Sequence, residues 1–165
     1  MSTTHNLNNL ELKAMRQSLG LTIAEASDLQ SIDVSKRFFQ YLESGERTIN
    51  KDINDVFDNL SAQYHLVFTN LSDDIDSYNN KRRQQTDDAD EYFKQLKSTP
   101  KLKLPFFQSF ELWQEKTGND LLHFWKIYQA VIGHLLLIGK LTELDDSADI
   151  PPQFSIWFWI NGKHE

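Results

Sequence analysis

The sequence predicts a mainly α-helical fold class, on three observations. Apolar residues recur every third or fourth position over much of the chain. Two capping boxes open helices near the N-terminus, and glycines stand where the helical patterns stop. A mostly helical C-terminal part, carrying one or two short strands, completes the expectation.

The first element runs from Asn8. Asn8 with Glu11 forms a capping box, Leu7 and Leu12 occupy the staple positions, Leu12, Met15 and Leu19 repeat at helical spacing, and Gly20 ends the pattern. Thr22 with Glu25 is a second box, flanked by Leu21 and Ala26, and predicts a short helix to about Gln30. Residues 30–33 read as a turn. Ser35 then caps a third helix that closes at Ser44 and Gly45. A fourth helix starts near Asn50, and Ile53, Phe57, Leu60, Tyr64, Val67 and Leu71 form a seam of alternating fours and threes, extendable to Tyr78. That seam serves equally as core or as an interface between two copies. Residues 79–91 are polar and charged and read as a linker or a weakly ordered helix end.

Aromatics mark the second half. Lys101-Leu102-Lys103-Leu104 alternates and predicts a short strand ended by Pro105. Residues 106–117 predict a helix stopped by Gly118, and Asn119 is placed to cap another that reaches about Leu141. Residues 154–160 alternate Phe, Ile, Phe and Ile with Ser, Trp and Trp, which predicts a strand apolar on both faces. Three regions result: residues 7–60, a helix and linker over 61–91, and an α+β dimerisation or sensing region over 92–165.

Composition excludes several classes. The absence of cysteine removes disulfide frameworks and thiolate zinc sites and suits a reducing, cytoplasmic setting. No signal-peptide pattern opens the chain, and its densest apolar run, residues 130–138, is too short for a membrane span. The five histidines lack metal spacing, and no nucleophile motif, phosphate loop or paired-carboxylate constellation is present. Neither an enzyme, a metal nor a cofactor is expected.

The third helix carries the functional expectation. Val34, Phe39 and Leu42 fall on one face, and Lys36, Arg37, Gln40 and Tyr41 on the other. Two capped helices joined by a turn, the second of this polarity, form a helix-turn-helix. There the second helix enters the major groove of double-stranded DNA. Arg and Lys donate to guanine O6 and N7, and Gln pairs with adenine N6 and N7. Lys36, Arg37, Phe38, Gln40 and Tyr41 are the candidate base readers, Phe38 through a thymine methyl. Thr22, at a helix N-terminus, offers its hydroxyl and amides to a phosphate, and Arg16, Ser35, Arg47 and Lys51 are the other backbone candidates. Arg16 has an equal alternative as the internal partner of Glu43. Charge argues the other way: the net charge is −7, and residues 1–60 hold six Lys and Arg against nine Asp and Glu. Affinity per subunit is then modest, and a dimer is needed.

Leu12-Lys13-Ala14-Met15-Arg16-Gln17, Leu19-Gly20-Leu21-Thr22 and Ala24-Glu25-Ala26 resemble the lambda-repressor-like helix-turn-helix class. The segment Val34-Ser35-Lys36-Arg37-Phe38-Phe39-Gln40-Tyr41-Leu42-Glu43-Ser44-Gly45 is more specific. It resembles the anti-CRISPR-associated regulators and YdiL-like bacterial proteins, and residues 100–104 with the helix after them are similar to that family's C-terminal half. The likeness covers roughly residues 7–145. It implies a homodimeric autorepressor with Arg37 as base reader and the dimer interface in the C-terminal half. The turn between the second and third helices is longer than the general class pattern by one or two residues, and the tail beyond Asp145 is additional.

Two other readings stand beside this one. A protein-interaction module would keep the helix-turn-helix without binding DNA and dock a partner on residues 154–160. A ligand-gated regulator would line a pocket with Phe106, Phe107, Phe110, Trp113, Trp125 and Tyr128, which serve as plainly for core. RNA is an open second ligand with no motif of its own.

Overall fold

The computed structural model describes residues 5–83 and 101–162. Among these it has seven helices: α1 Asn9–Ser18, α2 Ile23–Ser27, α3 Lys36–Ser44, α4 Lys51–Arg83, α5 Phe110–Thr117, α6 Leu122–Leu137 and α7 Ile156–Asn161. The chain divides into two compact units, Met1–His65 and Leu66–Glu165, with α4 running from the first into the second. No helix among the described residues is long and apolar enough to cross a membrane.

In the first unit the punctuation acts as its chemistry requires. Asn8 Oδ1 accepts from the Leu10 and Glu11 amides at 3.0 and 2.9 Å, and Glu11 Oε2 accepts from the Asn8 amide at 2.8 Å. Gly20, at φ 65°, ends α1 with paired bonds from Gly20 N to Gln17 O (3.0 Å) and Leu21 N to Arg16 O (3.1 Å). The second box closes around α2, which stops at Ser27, three residues short of expectation. From there the chain turns tightly: Ser31 and Asp33 adopt positive φ, and the Val34 amide returns to Ser27 O at 3.2 Å. The turn buries Leu29 and Ile32. It sets α3 against α2, and α1 packs on α3 as well. Leu12, Leu19, Leu21, Ala26, Phe39, Leu42, Ile53, Phe57 and Leu60 form this core, with Phe39 and Phe57 ring to ring at 6.4 Å. Asn50 Oδ1 caps α4 through the Ile53 amide at 2.9 Å.

The seam of α4 is buried within a single chain at Ile53, Phe57, Leu60, Val67 and Leu71, with Tyr64 half-buried. The helix continues through Ile75, also buried, to Arg83, past the expected linker start at residue 79. The rest of that linker, and the 91/92 boundary, lie outside the described residues.

In the second unit, Ser109 caps α5 through the Leu112 amide at 3.2 Å, four residues later than the expected start, and Gly118 at φ 70° ends it. Asn119 does not cap α6 directly. Its Oδ1 accepts from the Leu121 amide at 3.0 Å, while its Nδ2 donates to Ile160 O at 2.9 Å. α6 ends at Leu137, short of the expected Leu141. The strand expected over 101–104 is reduced to one parallel bridge, Leu104 to Leu144. Leu102 and Leu104 are buried and Lys101 and Lys103 exposed, so the alternation is real. What holds the segment is side chains of α6: Tyr128 Oη donates to Pro105 O at 2.7 Å, and Trp125 Nε1 and Gln129 Nε2 donate to Phe107 O at 3.0 and 3.1 Å.

The second expected strand, residues 154–160, is instead the helix α7 with a preceding turn. Ile156, Trp159 and Ile160 point inward at helical spacing and Phe158 is 81% exposed, whereas a strand would turn Phe158 to the same side as Ile156 and Ile160. An all-apolar run carries no period that separates the two. The decision comes from partners far away in sequence. Asp74 Oδ2 accepts from Ser155 N and Oγ, each at 2.8 Å, at the helix start, and Trp159 stacks on Phe124 at 4.4 Å.

Candidate nucleic-acid interface

α3 is an amphipathic helix held by its inner face. Phe39 and Leu42 are fully buried, and Glu43 beside them is 9% exposed. At about 100° per residue, Lys36, Arg37, Gln40 and Tyr41 share an arc of about 140° on the opposite side. Lys36, Arg37 and Gln40 are exposed and Tyr41 half-buried. Phe38 lies at the border of the two faces and is half-buried, so its ring is partly packed rather than wholly presented. Val34, assigned to the inner face, is also half-buried.

Ser35 Oγ accepts from the Phe38 amide at 3.1 Å, fixing the N-terminal turn from which Lys36 and Arg37 project. Gly45, at φ 83°, closes the other end, where the Arg47 amide donates to Tyr41 O at 3.1 Å. On the exposed face Arg37 Nε donates to Tyr41 Oη at 2.7 Å, and the guanidinium carbon lies 5.6 Å from the centroid of that ring.

The expected backbone contacts separate into two groups. Arg47 and Lys51 are exposed, although Lys51 is paired with Asp55, whose hydrogen bond and charge raise the lysine pKa. Thr22 is exposed at the start of α2, with Oγ1 accepting from the Glu25 amide at 3.1 Å and its own amide donating to Glu25 Oε2 at 2.8 Å. A carboxylate therefore already stands where a phosphate would approach. Arg16 is turned inward: Nε donates to Glu43 Oε1 at 2.5 Å, Nη2 to Glu43 Oε2 at 3.2 Å and Nη1 to Leu21 O at 2.7 Å. Its internal reading is the one found, and a phosphate contact would require breaking a buried ion pair. Glu43 thus has a structural role, legible from its place one turn beyond the buried Phe39 on the helix.

Of the aromatics offered as a ligand pocket in the second unit, Phe106 is exposed, Phe110 meets Trp125 at 5.9 Å, and the other three pack on one another. Phe107 meets Trp113 and Tyr128 edge to face at 5.1 and 5.4 Å, and Trp113 and Tyr128 are fully buried. Burial also pushes the Tyr128 phenol far above its ordinary pKa. A cleft between Phe107, Lys116, Asp146, Asp149 and Trp157 has a volume of about 40 Å³, space for a few waters and not for a metabolite.

These features define a mainly helical protein whose first unit presents a polar, cation-bearing helix face on an apolar support. The chain belongs to the Aca2/YdiL-like family, whose model matches residues 7–142. That membership is consistent with a regulatory role, and the matched span contains the whole of α3 and its supports. No curated protein matches the chain in sequence.

Proposed function

We propose that this protein is a sequence-specific, double-stranded-DNA-binding transcriptional regulator, in which α2 and α3 form a helix-turn-helix and α3 reads the major groove. The observation that carries the reading is the outer face of α3, where Lys36, Arg37 and Gln40 stand exposed beside one another on a helix anchored by Phe39 and Leu42. These side chains match the donor and acceptor pattern of base edges, and their support is rigid. Lys36, Arg37 and Gln40, with the edge of Phe38, read bases, and Tyr41 stands beside Arg37 on the same face. Arg47 contacts phosphate, Ser35 contributes at the N-terminus of α3, and Thr22 and Lys51 do so when released from Glu25 and Asp55.

The active species is a homodimer that binds an inverted repeat and represses by covering a promoter, its own among the candidates. Leu136, Leu137 and Ile138, exposed in succession at the end of α6, supply an apolar surface of the kind a second copy covers. The interaction-module reading loses its docking strand, because Phe154, Ile156, Trp159 and Ile160 are buried in the protein's own second unit.

A mobility-shift titration against the DNA upstream of the gene, with unrelated DNA as competitor, tests the reading. Selective binding is expected, and Arg37→Ala should weaken it by about 1–3 kcal/mol while leaving unfolding unchanged. Arg37→Ala binding as tightly as the parent protein would remove Arg37 from the interface.

A further inference from the structure

We propose that Tyr41 is the positioning residue for Arg37, setting its guanidinium for end-on recognition of guanine; this rests on the DNA-reading function proposed above. Arg37 and Tyr41 are one helical turn apart on α3. A guanidinium carries five N–H donors, one on Nε and four on the two Nη atoms. The Tyr41 hydroxyl accepts the Nε donor at 2.7 Å, and the ring lies under the guanidinium at 5.6 Å. With Nε occupied, the side-on edge of the group is closed. The Nη1/Nη2 edge remains, the pair of parallel donors that matches guanine O6 and N7.

Tyr41 is suited to the task because it is itself held. Its side chain is half-buried, and its carbonyl accepts from the Arg47 amide at 3.1 Å and from Ser44 Oγ at 3.2 Å at the closed end of the helix. Arg37, by contrast, is exposed, and a long exposed side chain otherwise loses its rotamer freedom only on binding. Fixing it beforehand removes that entropic cost, about 0.5–1.5 kcal/mol per side chain. An exposed pair of this kind contributes little to folding, so its effect falls on selectivity.

The test is selection from a randomised duplex pool by the full-length protein and by Arg37→Ala, Tyr41→Phe and the double variant, with thermal unfolding of each. Tyr41→Phe keeps the ring and removes only the hydroxyl. Arg37→Ala is expected to flatten a guanine preference at one position of each half-site. Tyr41→Phe should lower the preference at that same position by about 2- to 10-fold, leave the other positions and the melting temperature unchanged, and add nothing to Arg37→Ala. A Tyr41→Phe profile identical to the parent's, or one weakened evenly at all positions, overturns the positioning role while the DNA reading stands. If the parent protein enriches no sequence, the DNA reading falls and takes this inference with it.

Discussion

Arg16 shows how a residue suited to a phosphate can be claimed by the fold instead. Its guanidinium and the Glu43 carboxylate are almost wholly withdrawn from water, and two of the three bonds Arg16 makes join α1 to α3. Removing one partner leaves the other charged and buried without compensation, which costs about 3–5 kcal/mol. Replacing both with apolar residues of similar volume avoids that penalty. Urea unfolding of Arg16→Met should therefore show a loss of about 3 kcal/mol or more, and the Arg16→Met/Glu43→Leu double variant should recover most of it. Equal stability of the single variant and the parent protein would mean that the pair is solvated in solution, returning Arg16 to the list of phosphate contacts. The neighbouring exposed cations are of a different kind: Lys36 and Arg37 are outside the core, and their replacement is expected to register in binding rather than in unfolding.

Helix ends were the most legible elements. Asn8, Thr22, Ser35, Gly20, Gly45 and Gly118 all act where the sequence places them, because a cap is a local interaction between residues a few positions apart. The inner and outer faces of α3 were legible for the same reason, since the helical period alone sorts them. Leu121 has no side-chain cap bond, and α7 is stabilised by Asp74, 81 residues away from Ser155; neither leaves a local signature. The Arg37–Tyr41 bond lay one turn apart and was within reach of sequence reasoning, but geometry was needed to show which donor is used. Local capping also has a pH dependence. The Asn8 amide, and then His5, hold the Glu11 carboxyl below its ordinary value of 4.5. A depressed folded pKa means that the stabilisation is present above the unfolded value and disappears as pH falls through the folded one. The protection factors of the Leu10 and Glu11 amides in the first turn of α1 should accordingly fall as pH drops below 4.5. Glu11→Gln should abolish that acid dependence while the neutral amide still accepts a bond; an unchanged acid response in Glu11→Gln would assign it to another group.

At the scale of the whole molecule the difficulty is charge. A protein of net charge −7 approaches a polyanion against its own average field, so the proposed binding to DNA rests on a local surplus of cations. The α3 face and the segment after it offer Lys36, Arg37 and Arg47, with Lys51 tied to Asp55 and Arg16 to Glu43. Arg47 and a released Lys51 make about two phosphate neutralisations per protomer, which gives a salt slope of about −2 in log K against log salt, and two copies on an inverted repeat give about −4. The same protein should therefore show two slopes, the shallow one on a duplex carrying a single half-site and the steep one on the full repeat. Fluorescence anisotropy with both duplexes across a series of salt concentrations measures this directly. Equal slopes on the two duplexes would mean that a single copy makes all the contacts, which removes the dimer from recognition. A flat dependence on both would remove phosphate contact itself, and the apolar surface at Leu136, Leu137 and Ile138 would become the principal binding face. The two-slope result is the one expected, because the exposed cations of a single α3 are too few to hold an acidic chain on DNA at physiological salt.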